Sequence, residues 1–417
     1  MVGSTAIGHI AILTTLPLIG RLYLPADLGR LGTFLAYLGT AGVVTGLRYD
    51  IMIVAAATEA ESAALLAGVC WVTGPLSLMA SGVLAWLIHA KLLGFEVLPM
   101  SAALWMFPAL VVTQLAFTLR YWLMRAQMFP EIARVTVWQN VARAAAPVCL
   151  FPLQGGWVGL VAGEVVGRCA GLGTLIRSNG VALRKALSAL APGDIGRAFR
   201  RYPESPAAGM PSALIDTAGT LLPLPLIAGL FGATSAGYFA LVQRAMQLPL
   251  GLISRNVADV FHARLAQRAR ESTEAARTLF WRTTLFLLVV GGIPSVLGIF
   301  FAPRLLTFIM GSRWAPTGQL LVAMIPWSLA MFVVSPLSRV VVVYRGQVFK
   351  LIYDGISLAA VGLVIWLAQR AGWTLLQTVW VLSWSQAATY LIYFGVLLRM
   401  LYREAPELYA DVDRAIG

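Results

Sequence analysis

The chain has 417 residues, of which 59% are hydrophobic and only 12% are charged, and its formal net charge is +13 at pH 7. This composition and a mean hydropathy of +0.80 exclude an ordinary soluble domain. Its three cysteines lack the paired spacing of a disulfide framework or a zinc site. Apolar stretches of about twenty residues, long enough to cross a bilayer, recur along nearly the whole chain. The sequence therefore predicts an all-α, polytopic membrane protein.

The apolar stretches predict about twelve transmembrane helices. Their predicted ranges are 3–22, 28–48, 62–89, 99–122, 131–152, 156–176, 206–230, 233–254, 280–301, 316–341, 349–369 and 374–398. With the N-terminus in the cytoplasm, 22 lysines and arginines fall on the cytoplasmic side and six on the outer side. This positive-inside bias predicts that both termini are cytoplasmic. It also attributes the basic charge to topology rather than to nucleic-acid binding.

A stretch rich in arginine in mid-chain divides the predicted helices into two sets of six. We predict an N-terminal lobe, a basic cytoplasmic linker, a C-terminal lobe and a cytoplasmic tail, at residues 1–177, 178–205, 206–400 and 401–417. The first apolar run lacks a basic leader and continues into further spans, so we interpret it as a membrane helix rather than as a cleavable signal.

A short repeat supports the division into two lobes. The segment Leu16-Pro17-Leu18-Ile19 recurs as Leu224-Pro225-Leu226-Ile227, and the same offset of 208 residues aligns Gly29 with Gly237. Because leucine and proline are common here, a chance match is the alternative. A genuine repeat of six helices predicts a pseudo-twofold axis along the membrane normal, with a central cavity between the two lobes.

The predicted helix at 156–176 has two notable features. Glycines recur at every fourth position from Gly155 to Gly171, a spacing typical of a surface on which another helix packs closely. Glu164 and Arg168 lie beside this ridge at positions i and i+4, which brings two side chains together on one face. We predict an ion pair between them, and the alternative is that they line the cavity.

Three arginines, Arg143, Arg168 and Arg244, lie near the middle of apolar runs. A charged side chain at the bilayer centre costs at least ~2.5–3.5 kcal/mol on insertion scales, so each should face a partner or a polar interior. Only two acidic residues, Glu164 and Asp216, are predicted to lie comparably deep. The excess is cationic and predicts a cavity suited to an anionic ligand.

Two of these arginines have no carboxylate nearby in their own helix. Arg143 lies nine residues beyond Arg134, about 13 Å deeper at the helical rise. Arg244 lies between Gln243 and Gln247, and we predict that these three side chains line the cavity. Asp216, at similar depth in the preceding predicted helix, is a candidate partner for Arg244.

No catalytic constellation stands out in the sequence. The histidines His9, His89 and His262 are scattered, and there is no Walker-type glycine loop, Cys-x-x-Cys pair or Asp-x-x-Asp cluster. No outer connection is long enough for the catalytic loop expected of a membrane glycosyltransferase or polymerase. We therefore predict that the protein is not an enzyme and holds neither a cofactor nor a metal.

Short motifs follow one another along nearly the whole chain. They are RLYLPADLG at 21–29, LRYD at 47–50, RYP at 201–203, PSAL at 211–214, YFAL at 238–241, QR at 243–244, LP at 248–249 and VSPL at 334–337. In this order, with twelve predicted helices, the chain resembles the Wzx-type polysaccharide flippases of the multidrug/oligosaccharidyl-lipid/polysaccharide exporter (MOP) superfamily.

The resemblance implies a cationic cavity that opens alternately to the two sides of the bacterial inner membrane. The implied cargo is an undecaprenyl-diphosphate-linked oligosaccharide for lipopolysaccharide or exopolysaccharide synthesis. Implied partners are membrane lipids, a polysaccharide polymerase and a chain-length regulator. Arginine suits the cargo because its planar donors grip a diphosphate in a bidentate manner. Arg48 therefore joins Arg143 and Arg244 as a predicted headgroup contact, with Asp50 as a predicted counter-ion.

Two features depart from the family pattern. The family tends to have a neutral amide where this chain has Asp216, so this acid is either a proton-coupling group or a counter-ion of Arg244. Relatives often have a longer lead before the first helix, so a start upstream of Met1 is an alternative.

Other functions stay open. Export of small organic cations, as in the drug-exporting branch of the superfamily, would favour an acidic or aromatic cavity. Flipping of lipid II is a nearer rival, although such proteins usually carry two further helices that we do not find. A membrane-embedded polysaccharide polymerase is the third alternative.

Overall fold

The structure, a computed structural model of the chain, describes residues 15, 17–153, 155–191, 193–249, 253–344 and 346–403. Almost all of these residues are helical, and none of them forms a strand. His9, most of the predicted helix at 3–22 and most of the predicted tail at 401–417 lie outside the described residues.

The α-helices are numbered here in chain order. The first nine are α1 (Pro25–Thr45), α2 (Tyr49–Ala55), α3 (Glu59–His89), α4 (Ser101–Arg125), α5 (Phe129–Leu150), α6 (Trp157–Cys169), α7 (Leu172–Ser188), α8 (Asp194–Arg201) and α9 (Met210–Leu221). They are followed by α10 (Pro223–Pro249), α11 (Arg255–Glu271), α12 (Thr273–Met310), α13 (Ala315–Leu337), α14 (Arg339–Val343), α15 (Gln347–Ala371) and α16 (Leu375–Arg403).

Many of these helices have the length and composition of membrane spans. Among the described residues, 8 helical segments are long and apolar enough to cross a membrane, and the number rises to 9 if the bent pair α1 and α2, which meet at 56°, is one span. The prediction of an all-α, polytopic membrane fold is therefore confirmed.

The differences from twelve predicted spans have local causes. The predicted spans 206–230 and 233–254 fall in one segment of 43 residues, Ser205–Gln247, which is broken at Gly232 (φ 81°, ψ 170°). A positive φ of this kind suits glycine because it has no Cβ. The predicted span 131–152 is α5, which is less apolar than the other spans because it carries three charged side chains, Glu131, Arg134 and Arg143.

Contacts between Cα atoms group the chain into two compact units, Met1–Ala240 and Leu241–Gly417. The predicted lobes, 1–177 and 206–400, place the boundaries elsewhere and stay a prediction. In the second unit, the core is built from α11 to α14 and α16. Its largest fully buried side chains include Phe261 and Phe280, whose ring centroids lie 6.4 Å apart.

The stretch predicted as a linker at 178–205 contains helices that pack on the first unit. The ring of Phe199, from α8, stacks on that of Tyr49 with centroids 4.2 Å apart, and the Tyr49 hydroxyl donates to the Phe199 carbonyl (3.2 Å). At the start of α8, the backbone N–H of Ala191 donates to the Asp194 carboxylate (2.7 Å). This bond, together with Arg197, holds the pKa of Asp194 below its usual range.

Within the first unit, α1 and the start of α10 cross at positions that the predicted repeat makes equivalent. A Cβ atom at Gly29 would overlap the carbonyl oxygen of Ala233, and one at Gly237 would overlap the carbonyl oxygen of Pro25. The offset of 208 residues relates Gly29 to Gly237 and Pro25 to Ala233. The contact is thus reciprocal, as a twofold relation between the two segments predicts.

The tight crossing gives a first prediction. Changing Gly29→Ala should destabilise the folded protein, because the added methyl group meets backbone and the helices must separate, at a cost of about 1–3 kcal/mol. The matched control is Gly42→Ala in the same helix, where a Cβ meets nothing within 4 Å. This control should gain about 0.5–1 kcal/mol from helix propensity. Thermal unfolding of both purified variants in detergent measures the difference, and equal midpoints would contradict the close contact.

Candidate anion-binding site

The glycine ridge of α6 brings this helix against α5. A Cβ at Gly163 would lie 2.9 Å from ring atoms of Pro147, and one at Gly171 would lie 3.0 Å from a methyl group of Val135. A Cβ at Gly167 would overlap the side chain of Arg143. Gly163 and Gly167 therefore pack against α5 as the spacing predicts, whereas Gly171 lies beyond the end of α6 with a φ of 80°. Gly167 provides the room in which the stem of Arg143 lies.

At this crossing, one carboxylate serves two arginines. Arg168 Nη2 lies 2.8 Å from Glu164 Oε1, which confirms the predicted i, i+4 ion pair. Arg143 Nη1, from α5, lies 3.5 Å from the same oxygen. Glu164 is thus the shared counter-ion of two arginines, although Arg143 has no acidic partner in its own helix.

Neutral side chains complete this Arg143–Glu164–Arg168 cluster. Arg143 Nη2 donates to Asn140 Oδ1 (2.8 Å), and Arg168 Nη1 donates to Thr113 Oγ1 of α4 (3.1 Å). Three helices therefore hold the two guanidinium groups in place. Asn140 and Thr113 are not among the predicted site residues, because no spacing in the sequence indicates that these neutral side chains meet the two arginines.

The cluster carries an excess of positive charge. Two guanidinium groups face one carboxylate, and the carboxylate is the most buried of the three, with a side chain 13% exposed against 32% for Arg143 and 21% for Arg168. The Nε–H groups of both arginines are buried without an acceptor among the described residues. Glu164 therefore leaves part of the donor capacity of the two arginines unused, and the arrangement suits an anion with several oxygens.

A second polar cluster lies where α1 gives way to α2. Leu47 and Arg48 both have positive φ angles, 49° and 61°, a left-handed conformation that costs non-glycine residues of order 1–3 kcal/mol and is frequent at functional sites. Asp50, which is buried, interacts electrostatically with Arg48 and with the side chain of Gln114. The Thr45 hydroxyl donates to the same Gln114 side chain (3.2 Å). Asp50 thus interacts with Arg48, Gln114 is a further member of this cluster, and the role of Asp50 as a counter-ion stays a prediction.

Arg48 lines a cavity of about 450 Å³ in the first unit. Arg201 and Tyr202, from the end of α8, line the same cavity. Arg201 is already paired, because its Nε lies 3.2 Å from Glu61 Oε1. Arg48, in contrast, has no carboxylate within 4.0 Å among the described residues.

The remaining predicted site residues belong to α9 and α10. Gln243 and Arg244 are half-buried and Gln247 is exposed, all three on α10 in the second unit. Asp216 is exposed on α9 in the first unit, where the Thr220 hydroxyl donates to its backbone carbonyl (3.1 Å). The pairing of Asp216 with Arg244 stays a prediction.

Among the described residues, no group of three or more His, Cys, Asp or Glu side chains is placed to hold a metal ion. The two polar clusters described above are instead organised around arginines.

No protein-family model matches the sequence, and no curated protein matches it. Solved structures match the fold over almost the whole chain. One is the lipid II flippase MurJ in an inward closed conformation (14% identity, TM-score 0.70, covering 96% of this chain and 89% of that chain). Another is the inward-facing conformation of a multidrug resistance MATE family transporter of the MOP superfamily (12% identity, TM-score 0.68, covering 96% of both chains).

A third match is a MOP superfamily transporter from Pyrococcus furiosus, described by the reverse polarity of its binding pocket (13% identity, TM-score 0.58, covering 95% of this chain and 91% of that chain). This chain has the fold of the MOP-superfamily transporters. The fold that the resemblance implies is therefore supported, and membership of the superfamily stays a prediction.

The shared carboxylate gives a second prediction. Glu164→Gln should destabilise the protein by about 1–3 kcal/mol, since it leaves two half-buried arginines facing each other without a counter-ion. Glu131→Gln in α5 is the matched control, because its partner Arg134 is 59% exposed and such surface pairs contribute only about 0–1 kcal/mol. Urea unfolding in detergent measures both changes. Equal stabilities of the two variants would show that Glu164 does not hold the cluster together.

Proposed function

We propose that this protein is a flippase that moves an undecaprenyl-diphosphate-linked oligosaccharide across the bacterial inner membrane for surface polysaccharide synthesis. The observation that carries the proposal is the Arg143–Glu164–Arg168 cluster, in which two arginines share one carboxylate inside a membrane-spanning fold. A diphosphate carries several negative charges and multiple acceptor oxygens, so it suits the unused donors of such a cluster.

The fold supports transport of a lipid-linked substrate. One of its structural neighbours is named for lipid II, itself a lipid-linked molecule, and others are drug exporters of the same superfamily. Since the fold serves both kinds of cargo, the polarity of the site has to discriminate between them. The cluster at α5 and α6 is net positive, which favours an anionic headgroup over an organic cation.

We infer that the headgroup contacts several arginines in turn. Arg48 lines its own cavity and has no carboxylate within 4.0 Å in the described part of the chain, so it suits a first contact. The Arg143–Glu164–Arg168 cluster then offers the bidentate grip, and Glu164 limits its strength, so that the cargo is held and also released. Arg244, with Gln243 and Gln247, would be the contact from the second unit. Asp216 would be either its counter-ion or a proton-coupling group.

Topology and partners complete the proposal. The positive-inside bias supports cytoplasmic termini and transport from the cytoplasmic to the outer leaflet. A polysaccharide polymerase and a chain-length regulator would act on the delivered oligosaccharide. The protein itself would form no covalent bond with the cargo, because alternating access requires only binding and a change of conformation.

The cavity arginines give a third prediction. Arg143→Gln and Arg244→Ala should each lower surface polysaccharide at least about tenfold, the loss expected for removing one charge-assisted contact of about 1.5–3 kcal/mol. Arg134→Gln is the matched control, since Arg134 lies on the same helix as Arg143 but is exposed. Polysaccharide is measured on cells in which immunoblotting shows equal amounts of each variant. Normal polysaccharide with both cavity variants would refute the role of these arginines.

Drug transport gives a fourth prediction. Expression of the wild-type chain in a host that lacks its own exporters should not raise resistance to cationic drugs, because the net charge of the cluster repels them. Growth inhibition by a panel of such drugs provides the measurement. Increased resistance that Glu164→Gln abolishes would instead assign the protein to drug export. Release of a sugar product by the purified protein from a lipid-linked precursor would support a polymerase.

A further inference from the structure

A cavity of about 900 Å³ lies in the second unit, between α11 and α12. It shares no lining residue with the Arg143–Glu164–Arg168 cluster, because all of its lining residues lie between 256 and 286. Its lining is partly polar and partly apolar. The lining includes the polar residues Arg264, Gln267, Arg268 and Arg282 and the apolar residues Val260 and Phe286.

The arginines of this cavity differ in their pairing. Arg268 Nη1 lies 3.0 Å from Glu271 Oε2, and Gln267 donates to the other oxygen of that carboxylate (3.1 Å). Arg264 and Arg282 have no carboxylate within 4.0 Å among the described residues. Glu274 also lines the cavity, but it lies in the first turn of α12, eight residues and about 12 Å along the helix from Arg282. Two arginines from two helices therefore face the same space, neither of them in an ion pair within the described part of the chain.

The length of α12 places this cavity at the membrane surface. The helix has 38 residues and is about 57 Å long, whereas the hydrocarbon core of a bilayer is about 30 Å thick. Exposed apolar side chains follow one another from Leu285 onwards, and Arg282 lies one turn before them. The exposed Trp281 is also typical of the membrane–water interface. Arg282 thus lies at the level of the lipid headgroups.

We propose that this α11–α12 cavity binds the phosphate of an anionic phospholipid of the surrounding bilayer. Arg264 and Arg282 would grip the phosphate from opposite walls, and the acyl chains would run along Phe286 and the exposed apolar face of α12. The apolar wall distinguishes the site from one for free phosphate, because Phe286 is 50% exposed and Val260 is 54% exposed beside the arginines. The positive-inside bias predicts that this end of α12 faces the cytoplasmic leaflet.

The test is native mass spectrometry of the full chain in detergent, titrated with phosphatidylglycerol or with phosphatidylcholine. The wild type should bind phosphatidylglycerol more tightly. The double variant Arg264→Gln/Arg282→Gln should bind it about 25-fold more weakly, at roughly fivefold for each arginine near a membrane surface. Arg270→Gln is the matched control, because Arg270 is an exposed arginine of α11 that does not line the cavity, and it should bind as the wild type does.

Several outcomes would overturn the proposal. They are equal affinity for the two lipids, equal loss in the Arg270→Gln control, and displacement of the lipid by inorganic phosphate at equal concentration. Tighter binding of a polyprenyl diphosphate at the same arginines would also overturn it and assign the cavity to the cargo. If the glutamine variant fails to fold, Arg264→Lys/Arg282→Lys keeps the charge without the planar fork. It should bind phosphatidylglycerol several-fold more weakly than the wild type, and unchanged binding would refute bidentate binding of the phosphate by the two arginines.

Discussion

A charge inside a membrane protein needs a counter-charge or water, and the first unit depends on how Glu164 meets this requirement. This carboxylate lies between two arginines from different helices, at 2.8 and 3.5 Å. Such sharing requires a close crossing of α5 and α6, which the glycine ridge permits by leaving room at Gly167 for the stem of Arg143. The glycines and the charged residues therefore depend on each other, since the packing that stabilises the helix pair also sets the distance between the charges.

The same arrangement links stability to the proposed transport. A single carboxylate between two arginines neutralises enough charge for the cluster to exist in the membrane, yet it leaves a net positive site. A second carboxylate in the cluster would remove its attraction for an anion. Without any carboxylate, the two arginines would repel each other across α5 and α6. Because structural neighbours of this fold include both a lipid II flippase and drug exporters, this local balance of charge carries more information about the cargo than the fold does.

Features that depend on neighbours along one helix are predictable from this sequence, and those that depend on helix crossings are not. Hydropathy predicts the all-α membrane fold, and the i, i+4 spacing predicts the pair of Glu164 with Arg168. The contact of Arg143 with the same carboxylate needs the relative position of α5 and α6, which no local pattern contains. Likewise, the interaction of Gln114 with Asp50 joins α4 to α2, two helices that no local pattern relates. The packing of α8 on α3, which buries Ala198, is a further helix crossing that the charge of the stretch at 178–205 does not indicate.

The crossing of α1 with the start of α10 has an evolutionary consequence. Gly29 contacts the backbone of Ala233, and Gly237 contacts the backbone of Pro25. In the predicted repeat Gly29 corresponds to Gly237 and Pro25 corresponds to Ala233, so the same pair of positions meets twice. A contact in which the same two positions are used twice is the kind that joins the subunits of a twofold homodimer. A chain of half this length could form the same contact with a second copy of itself, because each copy would need only one glycine and one exposed carbonyl group. Fusion of two such copies into a single gene would then preserve the crossing, and each half would afterwards diverge under the restraint of a glycine in the other.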